Sequence, residues 1–121
     1  MRILIVEDEY FIARDIEFQC RGILGDRVSS LRILQTLEEA AEYLNRQAID
    51  LLLLDLNLGG KSGFELLHLA VSGSFHTIII SAHADQALNA FEFGVLDFLP
   101  KPLDMARLSR YSGAKTRIFI R

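Results

Sequence analysis

LLLLDLNLGG, residues 51–60, carries four consecutive leucines into one carboxylate, Asp55, and then reaches a glycine pair. A strand-sized run, apolar at every position and ended by an acid, reads as a strand covered on both faces whose tip presents a charge. Comparable runs lie on either side: Ile3–Val6, a weaker Val28–Leu34, Thr77–Ser81 and Val95–Leu99. Amphipathic stretches separate them, at Phe11–Leu24, Leu37–Arg46, Gly63–Val71, Ala87–Phe93 and Met105–Tyr111. Five such strand–helix units predict an α/β fold, a doubly wound five-stranded parallel sheet with helices on both faces. Helix boundaries support the register. Thr36 with Glu39 and Ser62 with Glu65 read as capping boxes, Asp85 and Asp104 as N-caps, and Gly73 and Gly94 as stops.

The 121 residues suffice for one domain with a real core and leave no room for a second full one. No apolar run approaches the ~20 residues a membrane-spanning helix needs, and MRILIVEDE lacks the layout of a secretory signal. A soluble cytoplasmic domain without membrane contact is expected. The single cysteine, Cys20, cannot form an internal disulfide and sits in an apolar helical pattern that suits core packing. Charge is unevenly spread: residues 1–100 carry 7 Lys/Arg against 15 Asp/Glu, and residues 101–121 carry 6 against 1. So acidic a body is a poor polyanion binder, which argues against direct nucleic-acid recognition.

In a doubly wound sheet, ligands sit beyond the carboxyl ends of the strands. Here Glu7, Asp8 and Glu9 follow the first strand, Asp55 the third, Ser81 the fourth, and Pro100-Lys101-Pro102 the fifth. Taken singly, each has a plain explanation as a turn or cap residue. Together they place acids, a hydroxyl and an ammonium on one rim. Clustered carboxylates repel and call for a cation. An all-oxygen donor set favours a hard ion, Mg²⁺ ahead of Ca²⁺ or Zn²⁺. Metal, carboxylate, hydroxyl and Lys make a phosphoryl-transfer constellation with Asp55 as nucleophile. His68, His76 and His83 show no metal-ligand spacing, and Phe64, Phe91 and Phe93 suit packing or a partner surface.

The acid pair in ILIVEDE, the segment LLLLDLNLGGKSGFELL, the hydroxyl in IIISAHA and the stretch LDFLPKP together resemble a response-regulator receiver domain of two-component signalling, a CheY-like superfamily, over residues 1 to about 112. The resemblance implies a flavodoxin-like strand order 2-1-3-4-5. It also implies phosphoryl transfer to Asp55 from a histidine kinase or histidine phosphotransfer protein, with autocatalytic phosphorylation and dephosphorylation only. By the same resemblance, Glu7 and Asp8 bind Mg²⁺ (or Mn²⁺) together with Asp55 and the backbone carbonyl of Asn57. Ser81 takes a phosphoryl oxygen beside the small Ala82, and Lys101 pairs with the phosphoryl charge. Lys101-Pro102 is expected to be a cis peptide. Phe98 matches an aromatic switch that, with Ser81, repacks the face built by the fourth helix, fifth strand and fifth helix, residues 87–111. That face would control a partner or output domain, or form a homodimer.

Two features depart from the family pattern. Gly59, in the pair Gly59-Gly60, stands where the family usually has Pro and is expected to loosen the segment after Asp55; Glu7 replaces the commoner Asp. The end of the chain also differs. MARLSRYSGAKTRIFIR breaks at Ser112-Gly113, predicting a shortened last helix followed by a basic tail, or the start of an output domain, over residues 113–121. AFEFGVLDFLPKP, residues 90–102, resembles receivers attached to LytTR-class DNA-binding domains.

Two other functions compete. An atypical receiver would bind partners without phosphorylation; the intact acid pair, Asp55, Ser81 and Lys101 argue against it. An aspartyl-phosphate phosphatase of the haloacid-dehalogenase type would carry its nucleophile after the first strand with a second Asp two residues on. Here the strand is the third and that position is Asn57.

Overall fold

The structure, a computed structural model, describes residues 1–71, 73–101 and 106. Five parallel strands form one sheet: β1 (Arg2–Val6), β2 (Ser30–Leu34), β3 (Leu51–Asp55), β4 (His76–Ser81) and β5 (Asp97–Pro100). Their spatial order is β2-β1-β3-β4-β5, as expected. Helices α1 (Tyr10–Leu24), α2 (Leu37–Arg46), α3 (Phe64–Val71) and α4 (Ala87–Glu92) connect them. Among the described residues no helix is long and apolar enough to cross a membrane. The expected helix at 105–111, the Asp104 cap, the cis Lys101-Pro102 bond and the tail 113–121 lie outside the described residues.

Strand alternation explains why the runs are apolar throughout. Ile3, Ile5, Leu51, Leu53, Ile78, Ile80 and Leu99 pack with Ile16, Cys20 and Leu24 of α1 on one face. Leu4, Val6, Leu52, Leu54, Ile79 and Phe98 pack on the other face with Leu37 and Ala40 of α2, Leu66 and Leu67 of α3 and Ala90 of α4. Burying both faces of three central strands is the main source of stability, at roughly 25 cal/mol per Å² of apolar surface removed from water.

Boundaries shift for local reasons. Val28 does not join β2, because its N–H closes the short 3₁₀ turn Gly25–Arg27 on Gly25 O at 3.2 Å. β5 starts at Asp97 rather than Val95, which instead packs into the core. It can end on Pro100 because a strand with no described neighbour on its outer side tolerates a missing N–H. Thr36 caps α2 by accepting the Glu39 N–H at 3.1 Å, but its hydroxyl binds the Glu39 carboxylate, so only half of the box forms. Ser62 accepts from Phe64 N at 3.2 Å rather than from Glu65. Asp85 is not a cap. It lies inside a 3₁₀ turn, Ala84–Gln86, whose own bonds already engage the N–H groups of Gln86 and Ala87. Gly94 does end α4, at φ 79°.

Candidate functional site

Glu7, Asp55 and Lys101 each lie two residues beyond a core residue of the α1-side face: Ile5, Leu53 and Leu99. With period-2 alternation, three strand ends therefore deliver these side chains to the same side of the sheet. The register aligns Val6 with Leu54, Asp55 with Ile80 and Ser81 with Pro100, so the tips are level. β5 lies two strands from β3. A long, single-headed side chain is what that gap calls for, and Lys101 Nζ reaches Asp55 Oδ2 at 3.1 Å and Glu7 Oε1 at 2.8 Å.

Glu7 is fully buried and Asp55 is only 5% exposed. Burial pushes the Glu7 carboxyl up to about 7. The Lys101 hydrogen bond opposes that rise, and the Asp55 charge adds to it. For Lys101 desolvation is the largest influence and pulls its pKa down, yet the bonds to Glu7 and Asp55 outweigh it and leave the group above its ordinary value. Two carboxylates thus share one ammonium.

Asp8 completes the cluster. One oxygen from each of Glu7, Asp8 and Asp55 lies within 4.8 Å of the others, a spacing that suits a hard octahedral cation with ~2.1 Å metal–oxygen bonds. The all-oxygen donor chemistry fits a hard ion such as Mg²⁺, which takes one or two carboxylates directly and keeps waters through which a further one can act. Each carboxylate is held by a backbone amide: Glu7 Oε2 by Glu9 N at 3.2 Å, Asp55 Oδ1 by Asn57 N at 3.0 Å, and Asp8 Oδ2 by Gly59 N at 2.9 Å.

Ser81, fully buried, lies one residue past Ile80, the register partner of Asp55; its Oγ accepts the His83 N–H at 3.0 Å and its carbonyl accepts the Lys101 N–H at 2.9 Å. Ala82 is exposed beside it. Phe98 belongs to the opposite face, buried among Ala90 and Val95 and apart from the carboxylates. His68 packs edge-on to Phe93 at 5.0 Å, and His76 opens β4 opposite Leu51.

Two contributors escape a residue-by-residue reading. Gly59 and Gly60 are the first. They form the two-residue loop of a hairpin pairing Asn57–Leu58 with Lys61–Ser62, with φ of 56° and 83°. Positive φ at both positions is the type I′ pattern that glycine permits, and a Gly-Gly pair between short paired segments was the available signal. Lys61 then ties the hairpin to Glu38 of α2. Gly63 is the second: a Cβ there would stand 2.7 Å from Asp55 O and 2.9 Å from Leu56 Cα.

Known proteins resemble this chain in sequence and fold. Residues 3–111 match the family model described as the response regulator receiver domain. The sensory transduction protein LytT of Bacillus subtilis is 35% identical over 112 residues, 91% of this chain and 46% of that protein. LytR of Staphylococcus epidermidis is 30% identical over 112 residues, 91% of this chain and 44% of that protein. The chain thus spans less than half the length of these relatives. The non-phosphorylated HemR receiver domain of Leptospira biflexa superposes with a TM-score of 0.74 at 28% identity, covering 88% of this chain and 86% of that one.

Proposed function

The chain belongs to the response regulator receiver domain family, and from that premise we propose that Asp55 accepts a phosphoryl group from the phosphohistidine of a histidine kinase or phosphotransfer protein. The observation that carries this reading is the convergence of Lys101, Glu7 and Asp55 at level strand ends. An Asp55 carboxylate oxygen attacks phosphorus, a P–O bond forms, the P–N bond breaks, and its electron pair returns to the imidazole ring of the donor. Lys101, already charged beside Asp55, offsets the negative charge that arrives with the phosphoryl oxygens. Glu7, Asp8 and Asp55 would hold Mg²⁺, with the Asn57 carbonyl as a further ligand; the ion supplies positive charge to a site dominated by carboxylates.

Ser81 carries the signal outward. Its hydroxyl would leave the His83 N–H for a phosphoryl oxygen, and because Lys101 N–H bonds Ser81 O, movement at the end of β4 is felt by β5. Phe98 lies on β5 against α4, so repacking there would alter the α4–β5 surface that meets a partner or output domain. These roles describe a cytoplasmic phosphoprotein switch rather than an enzyme with turnover on an external substrate.

Incubation with acetyl phosphate and Mg²⁺, followed by intact mass spectrometry beside Asp55→Asn, tests the reading. One added phosphoryl group that requires Mg²⁺ and is absent in the variant is expected. No adduct, or one that persists in Asp55→Asn, overturns it.

A further inference from the structure

Of the three backbone amides that hold the carboxylates, two come from within two residues of the group they hold, and only the Gly59 N–H reaches across the molecule, to a residue 51 positions earlier. Asp8 Oδ2 takes this bond, and among the described residues no hydrogen bond engages Oδ1. The donor is aimed by the hairpin loop: φ of 56° at Gly59 and 83° at Gly60 turn the amide toward the end of β1, and the Lys61–Glu38 pair anchors the outgoing side. A Cβ on Gly59 would lie 3.9 Å from Asp8 Oδ2, so space is available and the backbone conformation is the constraint.

We propose that the Gly59 N–H is a positioning group for divalent-cation binding: it holds the Asp8 carboxylate in one orientation, with one oxygen left to the cation. This rests on the function proposed above. The consequence is reciprocal. If the hairpin orients Asp8 for the ion, the ion must in turn hold the hairpin, because a coupling free energy acts equally on both partners. Ordering of residues 57–62 and occupancy of the cation site are then coupled, each favouring the other. A group that orients a metal ligand contributes about tenfold or more to affinity in comparable sites.

Two substitutions bracket the loop, one keeping both the N–H and its backbone conformation and the other removing both, and Asp8→Ala isolates the bond itself. Gly59→Asn keeps the donor and tolerates positive φ, since Asn-Gly is the favoured type I′ pair; Gly59→Pro removes the donor and forbids positive φ. Mg²⁺ titrations followed through amide NMR shifts should give wild-type affinity for Gly59→Asn and affinity weakened about tenfold for Gly59→Pro. Hydrogen exchange supplies a readout that does not depend on the loop variants folding. In the metal-free protein the Gly59 amide should be protected, and Asp8→Ala should abolish that protection while the amides of β3 stay protected. Equal Mg²⁺ affinity in the wild type and Gly59→Pro, or a Gly59 amide indifferent to Asp8→Ala, overturns the proposal. A wild-type chain that binds no Mg²⁺ instead overturns the functional reading beneath it.

Discussion

Lys101 Nζ lies 2.8 Å from Glu7 Oε1 across 94 residues of sequence, joining the end of β5 to the end of β1 over the strands between them. With Asp55 Oδ2 at 3.1 Å, the ammonium is the common partner of two buried acids. Breaking a buried pair from one side leaves charge uncompensated, a larger effect than losing a surface pair. Lys101→Met should therefore destabilise the Mg²⁺-free protein by about 2 kcal/mol, and saturating Mg²⁺ should recover part of the loss. Urea melts with and without Mg²⁺ measure both quantities. An unchanged midpoint in metal-free buffer would show that the pair contributes nothing.

The Glu7 carboxyl, pushed up to about 7 chiefly by burial, makes the site sensitive to pH. The folded metal-free chain holds this proton more tightly than the unfolded chain, whose value is near 4.5. Its contribution to stability is therefore complete below about 4.5 and is lost as pH rises through about 7. Cation binding has the opposite dependence, because a ligand carboxylate must be ionised. Mg²⁺ affinity should fall by up to about tenfold per unit as pH drops below that value. Calorimetric titrations at several pH values check this, and Glu7→Gln should flatten the profile. A slope that persists in Glu7→Gln would assign the titration to another group.

Gly63 is confined by backbone on two sides, with Asp55 O and Leu56 Cα inside the contact distance of any Cβ. Gly63→Ala should cost roughly 1–3 kcal/mol, the range for overpacked sites. Because its neighbours are the acceptor's own main chain, phosphorylation by a small phosphodonor should slow as well. Thermal unfolding and the acetyl phosphate reaction measure the two effects, and wild-type values in both would rule out the constraint.

Cys20 is fully buried, and burial pushes its thiol up to about 12. Since the thiolate is the reactive form, labelling by a disulfide reagent should be negligible in the native protein and complete in urea. Rapid native labelling would show that α1 opens locally from the sheet.

Much of this molecule is legible in its sequence because its central strands bury both faces. Uninterrupted runs such as Leu51–Leu54 mark such strands, and the polar residue that ends each run marks the rim. Glu7, Asp8, Asp55, Ser81 and Lys101 could be read in this way. Less legible is what main-chain atoms do: Gly59 acts through an N–H and Gly63 through the absence of a side chain, and neither has a side-chain type that announces its contact. Asp85 misled for a related reason. An acid ahead of an apolar stretch resembles a cap, but whether the amides it would serve are already engaged depends on the turn, which composition does not encode.

Because alternating faces deliver Glu7, Asp55 and Lys101 to one side, the domain is constrained by the count of residues in its strands more tightly than by their identity. Exchanging one leucine of Leu51–Leu54 for isoleucine keeps Asp55 where it is. Deleting one, with the pairing upstream preserved, would turn the acceptor to the opposite face, away from its ammonium, with every chemical group still present in the chain. Length variation among functional homologues should therefore fall in the helix–strand connections, while the interval from strand start to acidic tip stays fixed.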